Sequence, residues 1–185
     1  MVLKRNMPRR SPLVAVILIA LAVTGFSFHR ADAGEAPPWK LCFSPEGHCS
    51  SLILEAISSA RETVRVQAYS FTARPIADAL VDARRRGVDV AVIVDKSQTS
   101  ERYSVMDVLT EAGIPLYVDY CCAIAHNKVI VIDGRTVVTG SYNFTQSAES
   151  RNAENLLVID DDKMAKAYLD NWIVHRDGAR AFAAK

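Results

Sequence analysis

The chain has 185 residues, of which 22 are Lys or Arg and 21 are Asp or Glu, and half of all residues are hydrophobic. This length suits one domain with a substantial core, and the composition excludes a disordered chain, a collagen-like repeat and a strongly basic protein that coats nucleic acid. Four cysteines are too few for a small disulfide scaffold.

Residues 1–33 have the pattern of a secretory signal peptide. A basic segment without acids covers residues 1–12, an uncharged apolar run covers residues 13–28, and an Ala-Asp-Ala site ends at Ala33. Because a membrane span needs about 20 apolar residues, we expect cleavage after Ala33 and a periplasmic or secreted domain over residues 34–185. An uncleaved N-terminal anchor is the alternative.

Export would place the cysteines in an oxidising environment, where disulfides persist. Cys42 and Cys49 bracket a short loop that contains a proline and a glycine, so we expect these two cysteines to pair. A structural zinc site that uses both sulfurs and His48 is the alternative, although no fourth ligand lies nearby in the sequence. The adjacent Cys121 and Cys122 could be free, bonded to the first pair, or linked to a second chain.

The first two thirds of the exported segment alternate between strand and helix patterns. The predicted elements are a strand over Trp39–Phe43, a helix from Ser50 or Ser51 to Ala60, a strand over Val64–Phe71, a helix from about Pro75 to Gly87, a strand over Val88–Val94, a helix from about Glu101 to Ala112, and a strand over Ile114–Val118. This alternation predicts βαβ units in a parallel or mixed sheet.

The last third is richer in strand patterns. Two strands, Ala125–Ile132 and Thr136–Thr139, are joined by Asp-Gly-Arg, a strong hairpin signal. A further strand, Glu154–Ile159, precedes a helix that carries Met164, Tyr168, Trp172 and Val174 at helical spacings. The predicted fold class is therefore α/β, with a mixed β-sheet flanked by helices.

Polar side chains gather at one end of the otherwise apolar strand 125–132. His126 and Lys128 are two residues apart and are expected to leave the same face, and burying a cation there needs a reason. A two-residue turn at Asp133-Gly134 sets His126 opposite Ser141, whereas a turn one residue later sets it opposite Asn143. Either register predicts that His126, Lys128, Ser141 and Asn143 share one face.

The chemistry of this cluster suits a phosphodiester. Lys128 offers a positive charge, and Ser141 and Asn143 offer neutral donors, for the non-bridging oxygens of a phosphate. His126 can act as a nucleophile or as a proton donor, and Glu154 is a candidate to fix its second ring nitrogen. No dense set of His, Asp and Glu at metal-ligand spacing accompanies the cluster, so we expect no metal and no other cofactor.

The same residues resemble the signature of the phospholipase D superfamily. The segment from His126-Asn127-Lys128 to Asp133 is similar to H-x-K-x4-D, Gly140–Thr145 resembles G-S-x-N-[FW], and Asn152–Asn155 resembles N-x-E-N. With the upstream segments Phe43–Pro45 and Tyr69–Thr72, this ordered set is similar to the small bacterial endonucleases that carry one motif per chain. The resemblance implies a phospholipase D-like fold over residues 34–185.

It also implies a covalent reaction in two steps without a metal. One histidine attacks phosphorus to form a phosphohistidine, a second protonates the leaving oxygen, and water then releases the product. The resemblance implies that Lys128 and Asn143 bind phosphate and that Glu154 orients His126. Asp133 belongs to the signature, but its position at the hairpin turn favours a supporting role.

The reaction needs two histidines and the chain carries one motif. We therefore expect a homodimer in which a two-fold axis brings both copies of His126 into one site. The leading function is a metal-independent phosphodiesterase that acts as a nonspecific endonuclease on DNA, with RNA as a further substrate. The alternatives are a phospholipase D that hydrolyses phospholipid headgroups and an inactive module that binds nucleic acid.

Cleavage of the signal peptide would change the overall charge. Residues 1–33 carry five basic groups and one acid, so their removal leaves 17 basic and 20 acidic residues, a net charge of −3. A mildly acidic enzyme that acts on a polyanion must concentrate its positive potential locally. We expect that concentration around the two copies of Lys128 at the dimer cleft.

Overall fold

Strands and helices alternate in the computed structural model, which describes residues 37–183. The strands are β1 (Trp39–Ser44), β2 (Thr63–Ala68), β3 (Asp89–Asp95), β4 (Leu116–Asp119), β5 (Lys128–Ile132), β6 (Thr136–Gly140), β7 (Glu154–Asp160) and β8 (Arg180–Ala181). The helices are α1 (Cys49–Ser59), α2 (Arg74–Arg85), α3 (Met106–Glu111), α4 (Gln146–Ser150) and α5 (Asp162–Gly178). The predicted signal peptide lies outside the described residues.

All eight strands belong to one mixed sheet, in the order β1-β7-β6-β5-β2-β3-β4-β8. β2, β3 and β4 run parallel, as the alternating strand and helix patterns predict. β5, β6, β7 and β1 continue the sheet as antiparallel neighbours, and β8 closes the other edge against β4. The predicted α/β class with a mixed sheet is confirmed.

Helices cover both faces of the sheet, which explains the continuous apolar run in β5. Ile130 and Ile132 face the core that α1, α2 and α3 cover, whereas Val129 and Val131 pack with Ala165 of α5. All five residues of β5 are buried, Lys128 included. None of the helices within residues 37–183 is long and apolar enough to cross a membrane.

The start of α1 differs from the prediction. The helix begins at Cys49 rather than after a serine cap, and the preceding His48 has a left-handed φ of 55° and makes no side-chain cap. The Ser50 N–H instead donates to the carboxylate of Glu149, at 3.0 Å from Oε2. A long-range carboxylate thus replaces the local cap, and no local sequence pattern encodes that contact.

The cysteines behave as one pair and two free thiols. Cys42 and Cys49 form a disulfide with a Cα–Cα distance of 5.5 Å, so the predicted pairing is confirmed and a zinc site on the same two sulfurs is excluded. Cys121 and Cys122 are exposed and free. They therefore do not bond to the first pair.

The β5–β6 hairpin has the predicted turn but a different register. Asp133-Gly134 occupies the turn with positive φ angles, and the Arg135 N–H donates to the Ile132 carbonyl at 3.0 Å. Strand pairing then resumes between Ile132 and Thr136. Arg135 is an extra residue, as in a bulge, and each of the two expected registers is wrong by one residue.

This shift changes what lies beside Lys128. Continuing the observed register places Gly140, rather than Ser141, level with Lys128. Any side chain at Gly140 would collide with the carbonyl oxygen of Asn155, so glycine is required where β6 meets β7. The strand ends there, and the Ser141 N–H turns to donate to the same carbonyl at 3.1 Å.

Candidate active site

Several polar residues meet at one end of the strands, where the C-terminal ends of β2, β3 and β6 lie beside the N-terminal starts of β5 and β7. This end of the sheet is here called the Lys128 edge, and it is distinct from the outer strands β1 and β8. Ala68 pairs with Lys128, and Gly140 pairs with Leu156 close to Glu154, so these positions fall at one end of neighbouring strands. In open α/β sheets, ligands bind outside the carboxyl ends of the parallel strands. The predicted motif residues, except Asp133, lie at or near this edge.

Lys128 is the buried charge of the site. The residue is 6% exposed, and its Nζ donates to the carbonyl oxygen of His126 at 2.8 Å. Among residues 37–183, no carboxylate lies within ion-pair distance of this ammonium. A buried ammonium without an anionic partner favours binding of an anion from outside the chain.

Burial lowers the pKa of Lys128 below the ordinary lysine value, and the negative charge of Glu154 offsets this only in part. The charged form is therefore more costly in the folded protein than in the unfolded chain. An anionic ligand would remove much of that cost. The site is accordingly built for a ligand that carries negative charge.

His126 lies just before β5 rather than on it, which corrects the prediction of a strand from Ala125. Its ring packs against Tyr69 with the ring centroids 4.5 Å apart. Two backbone contacts hold this segment: the Tyr69 N–H donates to the Asn127 carbonyl at 2.8 Å, and the Ala125 N–H donates to Asp95 Oδ2 at 2.7 Å. The imidazole is thus positioned by its neighbours along the chain and by β2 and β3.

The ammonium of Lys128 lies over the face of the His126 ring. Nζ is 3.0 Å from Nδ1 and 3.1 Å from Nε2. If Nζ lay in the plane of the ring at these two distances, it would collide with Cε1, the carbon between the two nitrogens, so it lies above the plane. Nζ also lies 5.1 Å from the centroid of the Tyr69 ring. The in-plane positions at both ring nitrogens are therefore left for other partners, which suits attack on phosphorus by one nitrogen and orientation through the other.

Glu154 does not contact His126 within the chain. Its Oε2 accepts a hydrogen bond from Ser141 Oγ at 2.6 Å, and its Oε1 accepts one from Asn152 Nδ2 at 2.9 Å. The predicted orientation of His126 by Glu154 of the same chain is therefore not observed. The negative charge of Glu154 instead offsets part of the lowering of the Lys128 pKa that burial causes.

The Ser141 hydroxyl is occupied by hydrogen bonds within the chain. Its hydroxyl donates to Glu154 and accepts the Asn155 N–H at 3.0 Å. The predicted role of Ser141 as a phosphate donor would require it to release Glu154. The N-x-E-N segment and the serine therefore form one hydrogen-bonded unit at the start of β7.

Asn143 carries an unused polar atom. Its Oδ1 is buried and has no hydrogen-bond partner within residues 37–183. Its neighbour Phe144 pairs with Phe71, and the Phe144 carbonyl accepts the N–H of Thr72 at 2.9 Å, which ties this segment to the chain after β2. A half-turn of the amide would exchange its oxygen and its NH₂ group, and the NH₂ group is the one that could donate to a phosphate oxygen.

Asp133 lies at the opposite end of β5 from Lys128, roughly 17 Å away at about 3.3 Å per residue. Its carboxylate accepts the backbone N–H groups of Arg61, Glu62 and Thr63, each at 2.8 Å. Asp133 therefore lies too far from His126 and Lys128 to act beside them, and its place among the predicted catalytic residues is corrected. It anchors the loop between α1 and β2.

We expect Asp133→Ala to lower the free energy of unfolding by about 2 kcal/mol, because three N–H groups lose their acceptor and alanine is strained at a φ of 51°. Asp133→Asn keeps one acceptor and tolerates this φ, so its loss should be smaller. Urea unfolding measures both, and equal midpoints for all three proteins would contradict the assignment.

The pH dependence has a defined sign. Burial opposes ionisation of Asp133, but the three N–H donors outweigh it and hold the pKa below its usual value. This contribution to stability is present above the unfolded pKa of about 3.9 and is lost as the pH falls through the lowered folded pKa. The difference between the wild type and Asp133→Asn should therefore shrink in acid.

Two positioning residues were not among the predicted site residues. Tyr69 packs on both His126 and the Lys128 side chain, and Asp95 holds the segment before His126 by accepting the Ala125 N–H. Asp95 ends the buried strand β3, a position that could have marked it, because polar residues at the carboxyl ends of parallel strands gather at one edge. The packing of Tyr69 depends on the β2–β5 register.

Comparison with known proteins identifies the family of the chain. A family model described as cardiolipin synthase, PLD-like domain, matches residues 53–173. The chain is 36% identical over 192 residues to a protein of Rickettsia bellii named phospholipase D, covering 92% of this chain and 96% of the relative. It is 32% identical to the mitochondrial cardiolipin hydrolase of Xenopus laevis over 167 residues, covering 89% of this chain and 77% of the relative.

The fold of the chain is similar to that of a solved member of the same family. The phospholipase D family member Nuc from Salmonella typhimurium superposes with a TM-score of 0.77 at 41% identity, covering 80% of this chain and all of Nuc. The match confirms the branch of small bacterial members that the motifs predict. The chain belongs to the phospholipase D superfamily and is a hydrolase of phosphodiester bonds.

Proposed function

We propose that this protein cleaves nucleic acid, with DNA as its main substrate and RNA as a further one, through a phosphohistidine and without a catalytic metal. The observation that carries the proposal is the buried Lys128 ammonium, which lies against the His126 ring without a carboxylate in ion-pair contact among residues 37–183. A phosphodiester supplies the anion that this site lacks, and it brings phosphorus to the imidazole.

The proposed reaction has two displacements. A ring nitrogen of His126 bonds to phosphorus while the bond to the leaving oxygen breaks, and a second His126 gives that oxygen its proton. Water then bonds to phosphorus, the second histidine takes a proton from the water, and the bond to the first histidine breaks. Lys128 and Asn143 stabilise the charge on the non-bridging oxygens in both steps.

The second histidine would come from a second copy of the chain. An apolar surface supports such a dimer: Trp39, Leu41 and Phe43 are exposed on one face of the edge strand β1. The stripe ends beside the site, because Ser44, the next residue, pairs with Glu154. Exposed apolar stripes of this kind are typical of protein interfaces, and a partner there would lie next to the Lys128 edge.

An exposed aromatic residue near the same edge supports nucleic acid as the substrate. Tyr103 is 68% exposed, and the guanidinium of Arg102 lies 5.5 Å from its ring centroid. Their loop is tied to the chain after β2, because the Val105 N–H donates to the Phe71 carbonyl at 3.2 Å. An exposed ring beside a cation is suited to stack on a base while the cation contacts phosphate.

We expect Tyr103→Ala to weaken cleavage of single-stranded DNA roughly tenfold, mainly through KM, because one base–aromatic stack is lost. Hydrolysis of bis(p-nitrophenyl) phosphate, which offers no base, should be unchanged. Tyr120→Ala is a matched control, since Tyr120 is an exposed tyrosine that also packs against an arginine, Arg180. Equal KM values for both variants would contradict a role in stacking.

Hydrolysis of phospholipid headgroups is the second candidate. The name of the Rickettsia bellii relative favours it, and the apolar stripe on β1 could contact lipid as well as a second chain. The discriminating assay offers plasmid DNA, RNA and phospholipid vesicles in parallel to the protein and to His126→Ala, with EDTA present. We expect nucleic acid to be cleaved and the vesicles to remain intact, whereas headgroup release with intact DNA would overturn the proposal.

A further inference from the structure

A second cluster of reactive side chains lies at the end of β4, apart from the Lys128 edge residues. The His175 Nδ1 of α5 is 2.6 Å from Asp119 Oδ2 and 3.7 Å from Cys121 Sγ, and Cys121 Sγ is 2.9 Å from Cys122 Sγ. One donor atom each from Asp119, Cys121 and His175 lies within 4.8 Å of the others. The proposed reaction uses none of these groups.

We propose that Asp119, Cys121 and His175 bind a thiophilic divalent cation of the zinc type, with Cys122 as the fourth ligand. A carboxylate oxygen, an imidazole nitrogen and two sulfurs are the donor types that zinc takes in tetrahedral sites. Zinc–ligand bonds of about 2.0–2.3 Å place tetrahedral donors roughly 3.3–3.8 Å apart. The sulfur–nitrogen distance already matches this range, and the two shorter contacts must open by less than about 1 Å. Cys122 Sγ lies outside the 4.8 Å group and must turn toward Asp119 and His175 to complete the site.

The scaffold holds two of these ligands in place before any ion binds. Asp119 is 1% exposed at the end of β4, and its Oδ1 accepts the Cys121 N–H at 2.8 Å. Trp172, one turn before His175, is buried and donates from Nε1 to the Val66 carbonyl at 2.9 Å, which fixes α5 on the sheet. The cysteines are exposed, so an ion can enter from solvent, and each thiol that binds releases its proton to water.

The cluster is distinct from the catalytic site but connected to it. In the sheet, β4 lies three strands from β5, roughly 14 Å at about 4.8 Å per strand. The chain between Cys122 and His126 joins the two, and Lys96 Nζ holds its start by donating to the Cys122 carbonyl at 3.0 Å. A bound cation would therefore restrain the start of this segment, at Cys122, four residues before His126.

Titration with Co²⁺ tests the proposal on the full chain after a thiol assay has confirmed two free thiols beside the intact Cys42–Cys49 disulfide. We expect one Co²⁺ per chain, with a thiolate-to-cobalt charge-transfer band that Zn²⁺ abolishes by displacement. Cys121→Ser and His175→Ala should each weaken binding at least roughly tenfold. His48→Ala is the control, because His48 is an exposed histidine outside the cluster.

Two results would contradict the cation site. A spectrum without the charge-transfer band in the wild-type protein would show that the thiols do not bind the ion, and this reading does not depend on the folding of any variant. Unchanged affinity in both Cys121→Ser and His175→Ala would equally contradict it. His126→Ala should bind Co²⁺ as the wild type does, so failure of the proposed nuclease function would leave this result unaffected.

Discussion

His126→Ala is expected to reduce hydrolysis of phosphodiesters at least about a thousandfold, because it removes both the nucleophile and the proton donor of the proposed reaction. The effect should fall on kcat, since Lys128 and Asn143 remain to bind the phosphate. Steady-state kinetics with single-stranded DNA and with bis(p-nitrophenyl) phosphate measure it.

His48→Ala provides the matched control for this variant. His48 is exposed in the loop before α1 and takes no part in the proposed reaction, so its loss should leave kcat within about twofold of the wild type. Retention of most activity in His126→Ala, with a folded protein by circular dichroism, would remove His126 from the chemistry.

Lys128→Met should lower kcat/KM by about a hundredfold to a thousandfold, because it replaces the buried cation with an apolar side chain of similar length. Since burial lowers the pKa of Lys128, the ammonium costs folding free energy at neutral pH. The variant should therefore unfold at an equal or higher urea concentration while it loses activity. A variant that loses both would indicate a structural role instead.

The dependence of activity on pH is a second test of the role of the Lys128 ammonium. The lysine must be protonated to stabilise a phosphate, and its lowered pKa means that the charge is lost as the pH rises through a value below that of an ordinary lysine. Wild-type activity should therefore fall on the alkaline side before pH 10.5. In Lys128→Arg, whose guanidinium stays protonated, any remaining activity should lack this decline.

The sequence predicts the fold and the identity of the site residues better than their contacts. The apolar positions around Lys128 already indicate a strand buried on both faces, because an exposed strand would alternate with polar residues. The Asp-Gly turn can also be predicted from the sequence, since both residues tolerate positive φ. Both features depend on residues close in the chain.

The register and the partners of the site residues depend on contacts that no local pattern encodes. The extra residue at Arg135 shifts β6 by one position and turns Ser141 toward Glu154, so the predicted face does not form as expected. The cap of α1 comes from Glu149, far along the chain. Each of these differences arises where long-range packing overrides a local rule.

Glu154 shows how this bears on mechanism. Within residues 37–183, no carboxylate bonds to the His126 ring, while the Glu154 carboxylate is bonded to Ser141 and Asn152. The proposed reaction also lacks its second histidine in one chain. A second copy of the chain that covers the Lys128 edge would supply the missing histidine, so a site shared between two chains is the central claim of the proposal.

A mixed dimer tests that claim most directly. Wild-type and His126→Ala chains with different affinity tags are co-expressed, and the heterodimer is purified and assayed beside both homodimers. A site that needs His126 from each subunit predicts heterodimer activity below about one per cent of the wild-type dimer, because one histidine is missing from the only site. Activity near half that of the wild type, or an active monomer, would contradict the shared site.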